Sequence, residues 1–133
     1  MISHVTLAVA DFDRALAFWR ALMACLGHEE SWLKPGEEAS FRAPGHPRPL
    51  LFLVRPFAGA PDPGNGPMLG LMAADRATVH AAHALALRLG GQDEGAPGLR
   101  PQYHADFYGA YFRDSEGNKI CVVCHEPEGF SAA

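Results

Sequence analysis

The feature that most constrains this chain is an internal repeat. Shifting the sequence by 64 residues places Val5 on Leu69, Leu7 on Leu71, Ala10 on Ala74 and Asp11 on Asp75. In that frame His4 falls on Met68. One supersecondary unit used twice restricts the fold before any single residue is interpreted. The unit is readable in its first copy. "HVTLAV" (His4 to Val9) is β-branched and apolar with period-two alternation, which predicts a strand. Asp11 suits an N-cap. Phe12, Ala15, Leu16, Trp19, Leu22, Met23 and Leu26 then recur at helical spacing, and Gly27 suits the helix stop. Three short strand-like runs follow, "HEESWLK", "EASFRA" and "PLLFLVRP", split by Pro and Gly. The order is β-α-β-β-β.

"FAGAPDPGNGP" is a Pro- and Gly-rich break, after which the pattern restarts. "MLGLMAA" reads as a strand and Asp75 as a second N-cap. Residues 76–89 predict a helix with Val79, Ala82, Ala86 and Leu89 on one stripe, stopped by Gly90 and Gly91. "GAYFRD" and "KICVVCHE" read as strands joined by "SEGN", where Gly117 or Asn118 can take positive φ. The expectation is a single domain over residues 1–133, with module one at 1–57, a linker at 58–66, module two at 67–127 and a tail at 128–133.

Composition excludes several functions. The net charge is −4 and the eleven Lys and Arg are scattered, so no basic face for nucleic acid is expected. No apolar run is long enough to span a bilayer. "MISHVTLAVAD" lacks a positive n-region, and its apolar run is broken at His4 and Asp11, so a cytoplasmic location is expected. Three cysteines in such a chain favour free thiols.

The paired repeat, with "SHVTLAVADFDRALAFW" at the front and "FRDSEGNKICVV" at the back, resembles the vicinal-oxygen-chelate superfamily. That group includes glyoxalase I, the bleomycin-resistance proteins and the extradiol dioxygenases. "YHADFYGAYF" (Tyr103 to Phe112) looks like a segment of a glyoxalase-like branch. The resemblance implies an α+β chain whose two βαβββ modules form an open, cupped eight-stranded mixed sheet. It also implies a small-molecule pocket in the cup, a divalent metal there, and a homodimer.

The resemblance carries metal positions onto three residues. His4 matches a family histidine on the first strand. The family's second histidine falls on Met68, and its glutamate on the last strand falls on Cys121. A further acidic position, used by some members, falls on Leu50 when Arg55-Pro56 is matched to Glu126-Pro127. One ligand survives, so a divalent metal at His4 stays possible while the frame as a whole is degraded. His4, Met68 and Cys121 form a soft set suited to Cu(I) or Zn, or else Met68 and Cys121 fill a site that has lost its metal.

Cys121-Val-Val-Cys124-His125 matches a c-type haem attachment pattern. On a strand, however, Cys121, Val123 and His125 share one face while Val122 and Cys124 share the other. Thiols on opposite faces cannot both attach one haem, so none is expected. Cys124 reads as a small buried thiol.

With a four-residue "SEGN" loop, Phe112 faces Cys121 and Tyr108 faces His125, which puts these four residues in the cup. Tyr108 beside His125 is then a candidate acid/base pair, or a hydrogen-bonded rim pair. His104 and Asp106 lie among Tyr103, Phe107 and Tyr108, where a loop can close over a substrate or simply pack. His80 and His83, three apart on the second helix, are a possible metal clip or two solvated histidines. Arg55 ends a strand and is a candidate for holding an anionic group. Catalytic candidates are thus Tyr108, His104 and His125. Ligand-binding candidates are Met68, Cys121, Tyr108, His125, Phe112 and Arg55.

Three readings remain open. The first is a small-molecule binder on the glyoxalase scaffold, with Met68 and Cys121 replacing metal ligands; drug sequestration would suit an acidic chain and a cationic ligand. The second is a metal-dependent lyase, isomerase or dioxygenase using His4 with other ligands. The third is a protein-interaction module with a filled cup.

Overall fold

The computed structural model describes residues 1–132. Their elements run β1 (His4–Ala8), α1 (Phe12–Cys25), β2 (Glu29–Lys34), β3 (Glu38–Arg42) and β4 (Leu50–Val54), then β5 (Leu69–Met72), α2 (Arg76–Arg88), β6 (Gln92–Leu99), β7 (Tyr108–Arg113) and β8 (Lys119–Cys124). The eight strands divide into two four-stranded mixed sheets of matching order, β1-β4-β3-β2 and β5-β8-β7-β6. In each sheet the first and last strands of the module pair in parallel and the others antiparallel. The repeat is therefore real at the level of topology.

Local chemistry starts both helices alike. The Asp11 carboxylate accepts from Arg14 N–H at 3.2 Å, and the Asp75 carboxylate accepts from Thr78 N–H at 2.8 Å. Each cap satisfies a donor that the first helical turn leaves free. At the other ends Gly27 and Gly90 take φ of 82° and 95°, which a side chain would strain.

The helix-facing residues of both modules share one core. Val9, Phe12, Phe18, Trp19 and Leu53 from module one join Val79, Ala86, Phe112, Ile120 and Val122 from module two. The modules meet through α1 and α2, and no strand of one sheet lies beside a strand of the other. Phe18 meets Phe112 with ring centroids 6.4 Å apart. Truncating Phe112, which is fully buried, to Ala would cost about 3–5 kcal/mol.

Polar ties cross the same seam. The Asp114 carboxylate, 3% exposed, accepts from the Trp19 indole N–H at 3.0 Å. Glu116 accepts from the Ala10 and Asp11 backbone N–H groups just ahead of α1. The β7–β8 turn of module two thus helps to hold the first helix of module one. With the helices inside, each sheet turns its other face away from the core.

Two sequence expectations change. The β7–β8 loop runs from Asp114 to Asn118, closed by Asp114 N–H donating to Asn118 O at 2.9 Å. Arg113 therefore pairs with Lys119, Tyr111 with Cys121 and Tyr108 with Cys124. This is one residue off the register that a four-residue loop implies, and a one-residue slip reverses every face of the strand. The second change is β6, which has no alternating apolar pattern in its sequence, "QDEGAPGL".

Candidate functional site

Alternation along β1, β3 and β4 sends Val5, Leu7, Phe41, Leu51 and Leu53 to the core. It sends His4, Thr6, Glu38, Phe52 and Val54 to the open face. A groove of about 640 Å³ lies on that face, lined by His4, Thr6, Lys34, Glu37, Glu38, Phe52, Val54, Arg55 and Phe57. An adjoining groove of about 420 Å³ shares Glu38 and Phe52 and adds Trp32 and Arg42. Both volumes suit a small molecule. His4 sits edge-on to Phe52 at 5.7 Å, and its Nδ1 is 2.9 Å from the Ser3 hydroxyl. Arg55 lines the groove while donating to Gly36 O at 2.7 Å and Ala10 O at 3.2 Å.

On the second sheet the open face carries Gly70, Met72, Gly109, Tyr111, Cys121 and Val123, with Met68 just ahead of β5. Cys121 is 2% exposed, because Tyr111 crosses beside it. Tyr111 and Cys121 are cross-strand partners on β7 and β8. Burial, and then Cys121, pushes Tyr111 up to about 12. Burial also raises the Cys121 thiol, opposed by Tyr111, Arg100 and Lys119. At neutral pH both groups keep their protons.

The structure separates several candidates. Tyr108 and Phe112 are not on the open face, because the register places both on the helix side. Phe112 is fully buried. The Tyr108 hydroxyl pairs with His80 Nε2 at 2.6 Å rather than with His125, and its ring lies 4.8 Å from the Arg76 guanidinium. His83 is not solvated: it is buried, 2.9 Å from Asp93. His80 and His83 thus face different partners and form no clip. His125 instead meets His104, Nδ1 to Nε2, at 2.8 Å with stacked rings. The Asp106 N–H donates to His104 Nδ1 at 3.1 Å, which leaves Nε2 as the donor toward His125. This contact pins the loop before β7, with Phe107 packed against both imidazoles. Cys121 and Cys124 do project to opposite faces of β8, and Cys124 is fully buried.

Tyr111 and Arg100 escaped the sequence reading. The alternation that placed Phe112 in the cup would have placed Tyr111 there, had the turn been given five residues. Phe52, rather than Leu50, is the module-one counterpart of Cys121. Thr6 pairs with Phe52 as Gly70 pairs with Cys121, and the 64-residue frame superposes Thr6 on Gly70.

These residues fit an ordinary divalent ion poorly. The carried-over set is one imidazole, one thioether and one protonated, buried thiol, and a metal-bound cysteine must give up its proton. His4 also stands on the first sheet, whereas Cys121 lies on the second and Met68 just ahead of β5. Among the described residues no group of three or more His, Cys, Asp or Glu could hold a metal.

Two βαβββ units, each with a helix on one sheet face and the other face open, define a paired-module α+β class. The chain belongs to the Glyoxalase/Bleomycin resistance protein/Dioxygenase superfamily, whose sequence profile matches residues 1–122. It is similar to a glyoxalase/bleomycin resistance protein from Albidiferax ferrireducens T118, at 31% identity and a TM-score of 0.83, over 93% of this chain and 98% of that one. A lactoylglutathione lyase from Agrobacterium tumefaciens aligns at 25% identity and 0.66, covering 98% of each chain. TioX from Micromonospora sp. ML1 shares the fold at 17% identity and 0.65, over 95% of this chain and 99% of that one. No curated protein sequence matches. Among the described residues no helix is long and apolar enough to cross a membrane.

Proposed function

We propose that the chain is a metal-independent small-molecule binder whose cup forms between two copies. The first sheet of one copy would face the second sheet of its partner. One observation carries this reading. The two open faces, the first holding both grooves and His4 and the second holding Cys121 with Met68 beside it, lie on opposite sides of a shared core within a single chain. A second copy is what can bring His4 of one chain opposite Met68 and Cys121 of another. The open faces and their surroundings also expose Trp32, Phe57, Met68 and Met72, at 54%, 111%, 48% and 68%. Apolar surface of this kind marks an interaction site. The carried-over positions offer one imidazole, His4, and no carboxylate, which supports binding without a divalent metal.

The test is thermal shift of chelator-treated protein against a panel of small molecules. A ligand that binds only the native state must raise the melting temperature. Stabilisation without added metal is expected. One tightly bound metal per chain, with stabilisation only in the metal-loaded form, would favour the metal-dependent lyase, isomerase or dioxygenase instead.

A further inference from the structure

We infer that the open face of the second sheet holds a carboxylate-binding site made by Arg100, Lys119 and the Tyr111 hydroxyl. The inference rests on the cup reading and names the class of its ligand: a small anionic molecule with an apolar body. Arg100 is built into place. Its guanidinium donates from Nη1 to Gly98 O at 2.9 Å and from Nη2 to Ala96 O at 2.8 Å. It lies back across β6, over the two glycines. A Cβ at Gly95 would come within 3.2 Å of Nη2, and one at Gly98 within 3.3 Å of Nη1. The weak strand sequence of β6 is thus the space that seats this side chain. Five N–H groups less two leaves three to donate.

Arg100 has no carboxylate partner among the described residues. Its guanidinium carbon is 5.4 Å from the Tyr111 ring centroid, and Lys119 Nζ is 5.9 Å from the same centroid. Arg113 completes the cations of this face and is paired with Glu94 at 2.9 Å. Tyr111 and Cys121, the ionisable groups between them, stay neutral. Two cations therefore flank a phenol donor with no anion to balance them. A half-buried guanidinium without a counter-charge favours an ionised ligand group, and a carboxylate accepts its parallel N–H groups. Met68 and Met72, both exposed, supply apolar surface on the same side for the ligand's body. The chain's net charge of −4 suggested a cationic ligand, but a bound group feels the local field, which here is positive.

The experiment is calorimetric titration of the full-length protein with benzoate, benzamide and benzylamine, which match in size and differ in charge. Benzoate should bind, with affinity falling as salt rises, and benzamide should bind about tenfold more weakly or worse. Arg100→Gln should cost benzoate about tenfold and leave benzamide within about twofold. Since Arg100 also braces β6, Lys119→Gln serves as a second variant on a well-formed strand and should weaken benzoate in the same selective way. Benzamide or benzylamine binding as tightly as benzoate would overturn the site, as would benzoate binding that neither variant changes. Either result would leave the small-molecule cup standing. No benzoate binding at about 10 mM would also overturn it. The cup itself fails only if the wider thermal-shift panel is silent as well.

Discussion

Asp114 offers the sharpest test of how the two modules are joined. Its Oδ2 accepts from the Trp19 indole at 3.0 Å and from Asn118 Nδ2 at 3.1 Å. Its Oδ1 accepts from the Glu116 and Asn118 backbone N–H groups, each at 2.9 Å. Asp114→Asn preserves volume but turns one acceptor into a donor. In either amide orientation two of the four donors then face an N–H. Each buried donor left unsatisfied costs about 1–3 kcal/mol, so a loss of about 2–6 kcal/mol is expected. With an m-value of about 2 kcal/mol per molar urea, the midpoint should fall by about 1–3 M. Trp19→Phe removes one donor and leaves the carboxylate three, so it should cost less on the hydrogen-bond side. The double variant should depart from the sum of the singles, because both act on the donors gathered by one carboxylate. The assay is urea unfolding followed by circular dichroism. An Asp114→Asn unfolding free energy within about 0.5 kcal/mol of the parent would refute this role for the seam.

Tyr111 should ionise near pH 12, as followed by absorbance at 295 nm, and Tyr111→Phe should remove that step. His28 has a buried Nδ1 without a partner, and burial lowers its pKa below the ordinary 6.5. The unfolded chain then takes up this proton first, so its stability contribution is present above pH 6.5 and lost as pH falls through the depressed folded value. Urea midpoints should accordingly drop from pH 7.5 to 5.5, and by less in His28→Leu. Met68→His with Cys121→Glu should create a three-ligand set with His4 and raise divalent-metal affinity by elemental analysis and titration, each single substitution giving a smaller gain. A double variant that folds but gains no affinity would show that Met68 and Cys121 do not converge with His4.

The repeat was legible because its signals are local. Asp11 and Asp75 cap the helices, Gly27 and Gly90 stop them, and apolar spacing marks the buried stripes. The β7–β8 register was not legible, because it is decided by a turn whose length depends on the Asp114 carboxylate gathering Glu116 and Asn118. That one-residue difference moved Tyr108 and Phe112 to the helix side and put Tyr111 beside Cys121. β6 was hidden for a tertiary reason, since Gly95 and Gly98 serve the Arg100 side chain and not an apolar face. The His104–His125 contact joins a loop to a strand end 21 residues away, and no spacing rule anticipates it.

The central claim is that the cup lies between chains, and cross-linking a His4→Cys, Met68→Cys double variant tests it most directly. His4 opens the first sheet and Met68 adjoins the second, and only a second copy would bring them face to face. In a Cys25→Ser, Cys121→Ser background, which removes the native thiols a linker could reach, a short bismaleimide should give a covalent species of twice the 14.3 kDa chain mass on denaturing electrophoresis, and neither single variant should give it. A double variant that stays at the mass of one chain, whether linked internally or not at all, would contradict the claim.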